Sequence, residues 1–285
     1  MSVVADAADA IEAQRAVWRS RILVATHRGG FGQLAVAHLA AGRANPEVAQ
    51  TAHRWLFERY DMVMGDFNTT ILGMLHNAVT HNHAVATMPS YLPCRDYDYS
   101  SKPPAFDQVV VKRPQLQVAL NPRQQWRLQK VKRNPRGQME SIGCPSDHVP
   151  VEAIITHGTL AHQHPPVNVA TWNVADPWYF AQYHTGPAIG FVSDAEEVRL
   201  DKIVDVIKVL MARNSIVGLQ EVPKTIAEDV KLNAKSVGWQ TLEIRTPSSD
   251  DWDEMDAPSM LLLADPNAWE LEVAIDARVK GKNIL

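Results

Sequence analysis

An α/β fold is predicted, on three observations. Four short segments share one construction, an apolar run beside small polar or ionisable residues: residues 63–69, 144–151, 167–173 and 216–222. Runs of that length bounded by polar residues read as buried strands. Around them lie stretches of helical period, the clearest at residues 196–213, where Val198, Ile203, Val206, Ile207 and Leu210 repeat at helical spacing. The chain has 285 residues, 46% apolar and 21% charged, so it can build a core of packed layers.

In chain order, residues 3–20 are alanine-rich with Asp6, Asp9 and Glu12 toward the start, a predicted helix with acid near its positive end. Residues 21–26 form a strand ending in Thr26-His27, and Gly29, Gly30 and Gly32 a flexible loop. Asn45-Pro46-Glu47 starts a helix, with Asn as the cap and Pro in the first turn. It runs to Arg59 with Val48, Ala52, Trp55 and Leu56 on one face, which leaves His53 at the surface. Residues 60–64 are the next strand, and Gly65 turns the backbone sharply after it. Asp66 and Asn68, two apart on extended backbone, are then presented side by side, with Phe67 anchored on the other face. A carboxylate beside a carboxamide suits a hard cation and a phosphate oxygen.

His76, His81 and His83 follow, at a spacing that fits no zinc pattern. Residues 91–102 are a turn-rich aromatic loop, and residues 104–111 a strand. Residues 112–136 hold eight Lys and Arg, no acid, and Trp126, which suits a polyanion able both to pair with cations and to stack. Residues 149–156 form a strand, and the polar, proline-ended residues 157–166 read as a linker. The strand 167–173 leads to an aromatic stretch at 177–195, the helix 196–213, and a strand over 215–219 with Glu221 at its end. Strands at 239–245, 260–263, 270–279 and 283–285 complete the chain around an acidic loop at 248–256.

The net charge of −4 hides an asymmetry: residues 1–150 carry 17 basic and 12 acidic side chains, residues 151–285 carry 11 and 20. No apolar run approaches the ~18 residues of a membrane span. The acidic N-terminus lacks the basic start and apolar middle of a secretory signal. Cys94 and Cys144 alone make no disulfide framework, so a reducing, cytoplasmic setting is expected.

Thr171-Trp172-Asn173, Leu219-Gln220-Glu221-Val222, Gly65-Asp66-Phe67-Asn68 and Ser146-Asp147-His148 resemble the four signature motifs of the endonuclease/exonuclease/phosphatase superfamily, the deoxyribonuclease I-like group. The order differs: in the family the Trp-Asn and Gln-Glu motifs come first, whereas here they follow the other two. The resemblance, over about residues 20–285, implies a four-layer α/β/β/α sandwich in circularly permuted order. Residues 1–20 would be an added helix and residues 21–285 one permuted domain. Within that domain, residues 21–156 would be the family's C-terminal half, residues 157–166 the link, and residues 167–285 its N-terminal half.

The same resemblance implies the chemistry of a divalent-metal-dependent phosphodiester hydrolase, foremost a nuclease with nucleic acid as substrate. The alternatives are a hydrolase of small or lipid phosphates and a silent binding module of the same fold. Mg²⁺ or Mn²⁺ would be held by Glu221, with Asn173 and Asp147 around it. Asp66 would orient or deprotonate the attacking water, and Asn68 would hold a phosphate oxygen. His148, paired with Asp107, would be a charged donor at the phosphate, and His27 a second phosphate-facing imidazole.

Overall fold

The computed structural model describes residues 21–39, 46–69, 71–90, 105–123, 132–133, 139–140, 145–146, 148–158, 164–174, 196–245 and 258–276. The predicted N-terminal helix, the strand at 283–285, Asp147 and residues 124–131 and 134–136 of the basic stretch lie outside these residues. The elements in chain order are β1 (Arg21–His27), β2 (Gly32–His38), α1 (Pro46–Arg59), β3 (Met62–Asp66), α2 (Ile71–Thr80), β4 (His83–Thr87), β5 (Asp107–Lys112) and β6 (Leu116–Leu120). Next come a short ribbon, β7 (Lys132–Arg133) and β8 (Met139–Glu140), then β9 (Val151–His157), β10 (Val167–Asn173) and α3 (Glu196–Arg213). The last are β11 (Ile216–Val222), α4 (Lys224–Ser236), β12 (Gln240–Arg245), β13 (Ser259–Ala264) and β14 (Trp269–Asp276).

These strands form two six-stranded mixed sheets, in the orders β14-β1-β2-β3-β5-β4 and β12-β13-β11-β10-β9-β6. Each has one parallel pair at its centre, β2 with β3 and β10 with β11, flanked by antiparallel neighbours. A parallel pair needs a crossover, and α1 and α3 lie in the two crossovers. The strand at the chain's start, β1, pairs antiparallel with β14 from its end, Arg21 opposite Asp276.

Alternation along the strands builds four layers. Val36, Met64, Val109, Val151, Val169 and Leu262 point inward and form one apolar cluster between the sheets. Val63 and Val110 point outward under Ala52, Leu56 and Phe57 of α1 and Met74 of α2. On the other side, Val217, Leu219 and Leu261 lie under Ile203, Ile207 and Leu210 of α3 and Ile226 and Val230 of α4. Each fully buried aliphatic side chain contributes about 1.5–3 kcal/mol, so the three clusters hold the layers together. No helix among the described residues is long and apolar enough to cross a membrane.

Three local expectations are corrected. Gly32 does not extend a loop; it opens β2, and the turn is confined to residues 28–31. His53 is buried, not at the surface: its ring packs on Phe57 and Phe67, and burial lowers its pKa to about 4. Gly65 does not end the strand but lies within β3, at φ 141°, where a Cβ would overlap the Ala37 carbonyl oxygen of β2. Gly65→Ala is therefore expected to destabilise the fold by about 3 kcal/mol or more. Urea unfolding of the variant checks this, and a loss under about 0.5 kcal/mol would contradict the packing described.

Candidate active site

The topology brings seven polar residues to one edge of the sandwich. Parallel strands end on the same side, so β2 and β3 deliver His38 and Asp66 as register neighbours, and β10 and β11 deliver Asn173 opposite Gln220, with Glu221 next. Antiparallel strands start where their neighbours end. Asp107, first in β5, is thus paired with Asp66, and His148 precedes β9, whose Val151 faces Thr171 near the end of β10.

Asp66 is the centre of the arrangement. It is 1% exposed, and its Oδ2 accepts a hydrogen bond from Asn173 Nδ2 at 2.9 Å while its Oδ1 accepts one from the Asn68 amide at 2.8 Å. His148 Nε2 lies 3.9 Å and His38 Nε2 4.0 Å from Asp66 Oδ2. Burial raises the Asp66 pKa; the nearby His148 and His38 and the Asn173 hydrogen bond act against that rise, and Asp107 adds to it.

The second imidazole nitrogen, His148 Nδ1, is 2.6 Å from Asp107 Oδ2, with both residues buried. An ionised carboxylate only accepts, so Nδ1 carries the proton and Nε2 faces Asp66. Ser90 braces this dyad: its hydroxyl accepts from the Asp107 amide at 3.0 Å and its carbonyl from the Val149 amide at 2.8 Å. Glu221 stands beside it with Oε1 3.3 Å from His38 Nε2 and a backbone φ of 54°. Positive φ at a residue other than glycine is strain of the kind held at functional sites.

Asp66, Asp107 and His148 offer ligand atoms within 4.8 Å of one another, a group able to hold a metal ion. Asp107 Oδ1 is buried with no hydrogen-bond partner among the described residues. With Glu221 nearby the donors are mainly carboxylate oxygens, the set a hard divalent cation takes.

Of the residues predicted from sequence, Asp66, Asp107, His148, Asn173 and Glu221 meet at this edge, and Asp147 lies outside the described residues. Asn68 is close but not as expected. Its backbone is left-handed, at φ 47°, and its side-chain Nδ2 donates to the Leu39 carbonyl at 2.8 Å, so it does not lie beside Asp66 on extended backbone.

His27 is a correction. Strand β1 runs antiparallel to β2, which pairs His27 with Gly32 and Arg21 with His38. His27 therefore ends at the opposite edge, roughly 20 Å away at a strand's rise per residue. There it packs edge-on against Phe31 and Trp269, and burial, followed by His157 and His164, lowers its pKa to about 4. The residue missed was His38. Its signal is the apolar run 34–37 followed by His38-Leu39, one helix before the Asp66 strand.

No protein-family model and no curated protein matches the chain. Among solved structures, the human Nocturnin catalytic domain with bound sulfate anion is similar at 7% sequence identity and a TM-score of 0.37, with 81% of each chain covered.

Proposed function

We propose that the chain is a divalent-metal-dependent phosphodiester hydrolase, foremost a nuclease, on a deoxyribonuclease I-like sandwich whose halves are joined in permuted order. What carries this reading is the 2.9 Å contact from Asn173 to Asp66. It joins the Trp-Asn motif of one half to the Asp-Phe-Asn motif of the other at a single edge. The pairing of β1 with β14 supports the permuted order, because it supplies the hairpin that the chain's cut would otherwise break.

A phosphodiester resists hydrolysis because its anionic oxygens repel the nucleophile and its alkoxide leaves poorly. Mg²⁺ or Mn²⁺, held by Glu221 with Asn173 and Asp147, would neutralise phosphoryl charge and stabilise the leaving oxygen. Asp66 is assigned the water: its carboxylate is held from two sides and desolvated, so it is both oriented and basic. His148, oriented through Nδ1 by Asp107, would act as an imidazolium, the form a neighbouring carboxylate favours, and donate from Nε2 to the phosphate. His38 takes the place assigned from sequence to His27. Asn68, whose amide holds Asp66 Oδ1, is assigned a phosphate contact.

The basic, Trp126-bearing stretch at 112–136 favours a nucleic-acid substrate. The test is the purified chain offered DNA, RNA and bis-p-nitrophenyl phosphate. Changing Arg127, Lys130, Lys132 and Arg133 to Ala should weaken nucleic-acid binding at least tenfold, flatten its dependence on salt, and leave the small diester's turnover unchanged. Unaltered nucleic-acid binding would make the stretch a solvated loop with no part in binding the substrate.

A further inference from the structure

We propose that Arg199 is a positioning residue, a buried guanidinium that fixes the segment leading to His148 and the end of β10 at Asn173 relative to each other; its place in catalysis rests on the hydrolase reading above. Arg199 is 2% exposed in the first turn of α3, and its Nη1 donates to the Pro145 carbonyl at 3.0 Å and to the Val174 carbonyl at 3.5 Å. Pro145 lies three residues before His148, and Val174 directly follows Asn173. Arg199 thus reaches, from a helix behind the sheet, the backbone of both segments.

Those segments are tied to each other at two further points, and one bond inside the first segment braces it. Ser146 Oγ donates to the Asn173 carbonyl at 2.8 Å, the His148 amide donates to Ser146 Oγ at 3.0 Å, and Trp172 Nε1 donates to the His148 carbonyl at 3.0 Å. Val174 also donates its amide to the Gln220 carbonyl at 2.9 Å, which carries the linkage to the residue before Glu221 in β11. The unit positions the His148 imidazole and the Asn173 carboxamide against Asp66. Misplacement of about 1 Å in such a site lowers rates on the order of 10²-fold.

Helix stability does not explain the residue. A cation in the first turn sits at the unfavourable end of the helix dipole, and a buried guanidinium carries a desolvation penalty that an apolar side chain of the same length avoids. What arginine adds is a plane that fixes the two N–H bonds of Nη1 at a set angle, so that one nitrogen serves the Pro145 and Val174 carbonyls together; a lysine ammonium is a freely rotating point with no such plane.

The experiment compares Arg199→Met, Arg199→Lys and Arg199→Ala with the wild-type chain. Measured are the thermal midpoint, kcat and KM on bis-p-nitrophenyl phosphate, and the imidazole resonances of His148 by nuclear magnetic resonance. Arg199→Met is expected to melt cooperatively, lose about 10²-fold in kcat with KM within about twofold, and shift the His148 Nδ1 proton signal. Arg199→Lys should recover little, and millimolar guanidinium should restore part of the kcat lost in Arg199→Ala. Unchanged kcat and unchanged His148 signals in Arg199→Met would overturn the proposal, as would a loss of kcat that guanidinium does not relieve. If Arg199→Met does not fold, Arg199→Lys carries the same readouts. If the wild-type chain hydrolyses no phosphodiester, the His148 signals alone decide: a shift in the variant upholds the positioning role and assigns the failure to the hydrolase reading, and no shift overturns it.

Discussion

Asp66→Asn is expected to reduce phosphodiester turnover about 10³-fold while the protein melts no lower than wild type at pH 8. The two halves of that expectation have one cause. Asp66 is buried, and burial holds its pKa above the ordinary carboxylate range. A raised acid pKa means that the fold favours the neutral form. Stability from this group is therefore complete below the unfolded pKa of about 4 and is lost as pH rises through the raised folded pKa. At pH 8 the wild-type carboxylate is a desolvated charge, and the neutral amide removes that strain. Activity has the opposite sign, because the ionised carboxylate is the base. Wild-type turnover should fall on acidification with an apparent pKa above about 4, and that limb should vanish in the variant. Kinetics between pH 4 and 9, with thermal melts at both ends, check this. Turnover in Asp66→Asn within tenfold of wild type would remove Asp66 from the chemistry.

Glu221→Gln is expected to lower turnover by 10² to 10³-fold and to weaken Mn²⁺ binding at least tenfold, with the fold intact. The substitution keeps shape and removes charge. The charge is the point: carboxylate oxygens are what hold a hard cation, and Glu221 presents Oε1 at the site's edge, 3.3 Å from His38, from a strained backbone at φ 54°. A residue retained in that conformation without a ligand to hold would be a cost with no return. Calorimetric titration of Mn²⁺ into both proteins reads the affinity directly. Equal affinity together with wild-type turnover would shift the metal assignment to the group formed by Asp66, Asp107 and His148.

The strand ends were the legible part of the sequence, because a polar motif closing an apolar run marks both the element and the chemistry. Asp107 and His148 were paired from the motif's resemblance, and their rings and carboxylates lie 2.6 Å apart. The helix 46–59 is legible from its start signal and period, and the helix 196–213 from period alone. What failed did so for identifiable reasons. His27 and His38 each end an apolar run, and sequence does not say which run is antiparallel to its neighbour, so the wrong imidazole was chosen. Strand β2 went unread because residues 34–37 are all buried, which removes the alternation that marks a half-exposed strand. Strand β6 lay hidden in the basic stretch. His53 was misjudged because the buried face of α1 is wide, taking Ala52, His53, Leu56 and Phe57 together. The contact between Asn173 and Asp66 spans 107 residues, and only the sheet topology brings the two together.

The central claim is that this edge hydrolyses phosphodiesters with a divalent metal. Its most direct measurement is the rate of bis-p-nitrophenyl phosphate and DNA hydrolysis by the purified chain, first in excess EDTA and then with Mg²⁺ or Mn²⁺ restored, with Asp66→Asn run in parallel. The account predicts no turnover above background in EDTA, recovery on adding either metal, and none in the variant under any condition. Undiminished turnover in EDTA, or no turnover of any phosphodiester with metal present, would contradict it.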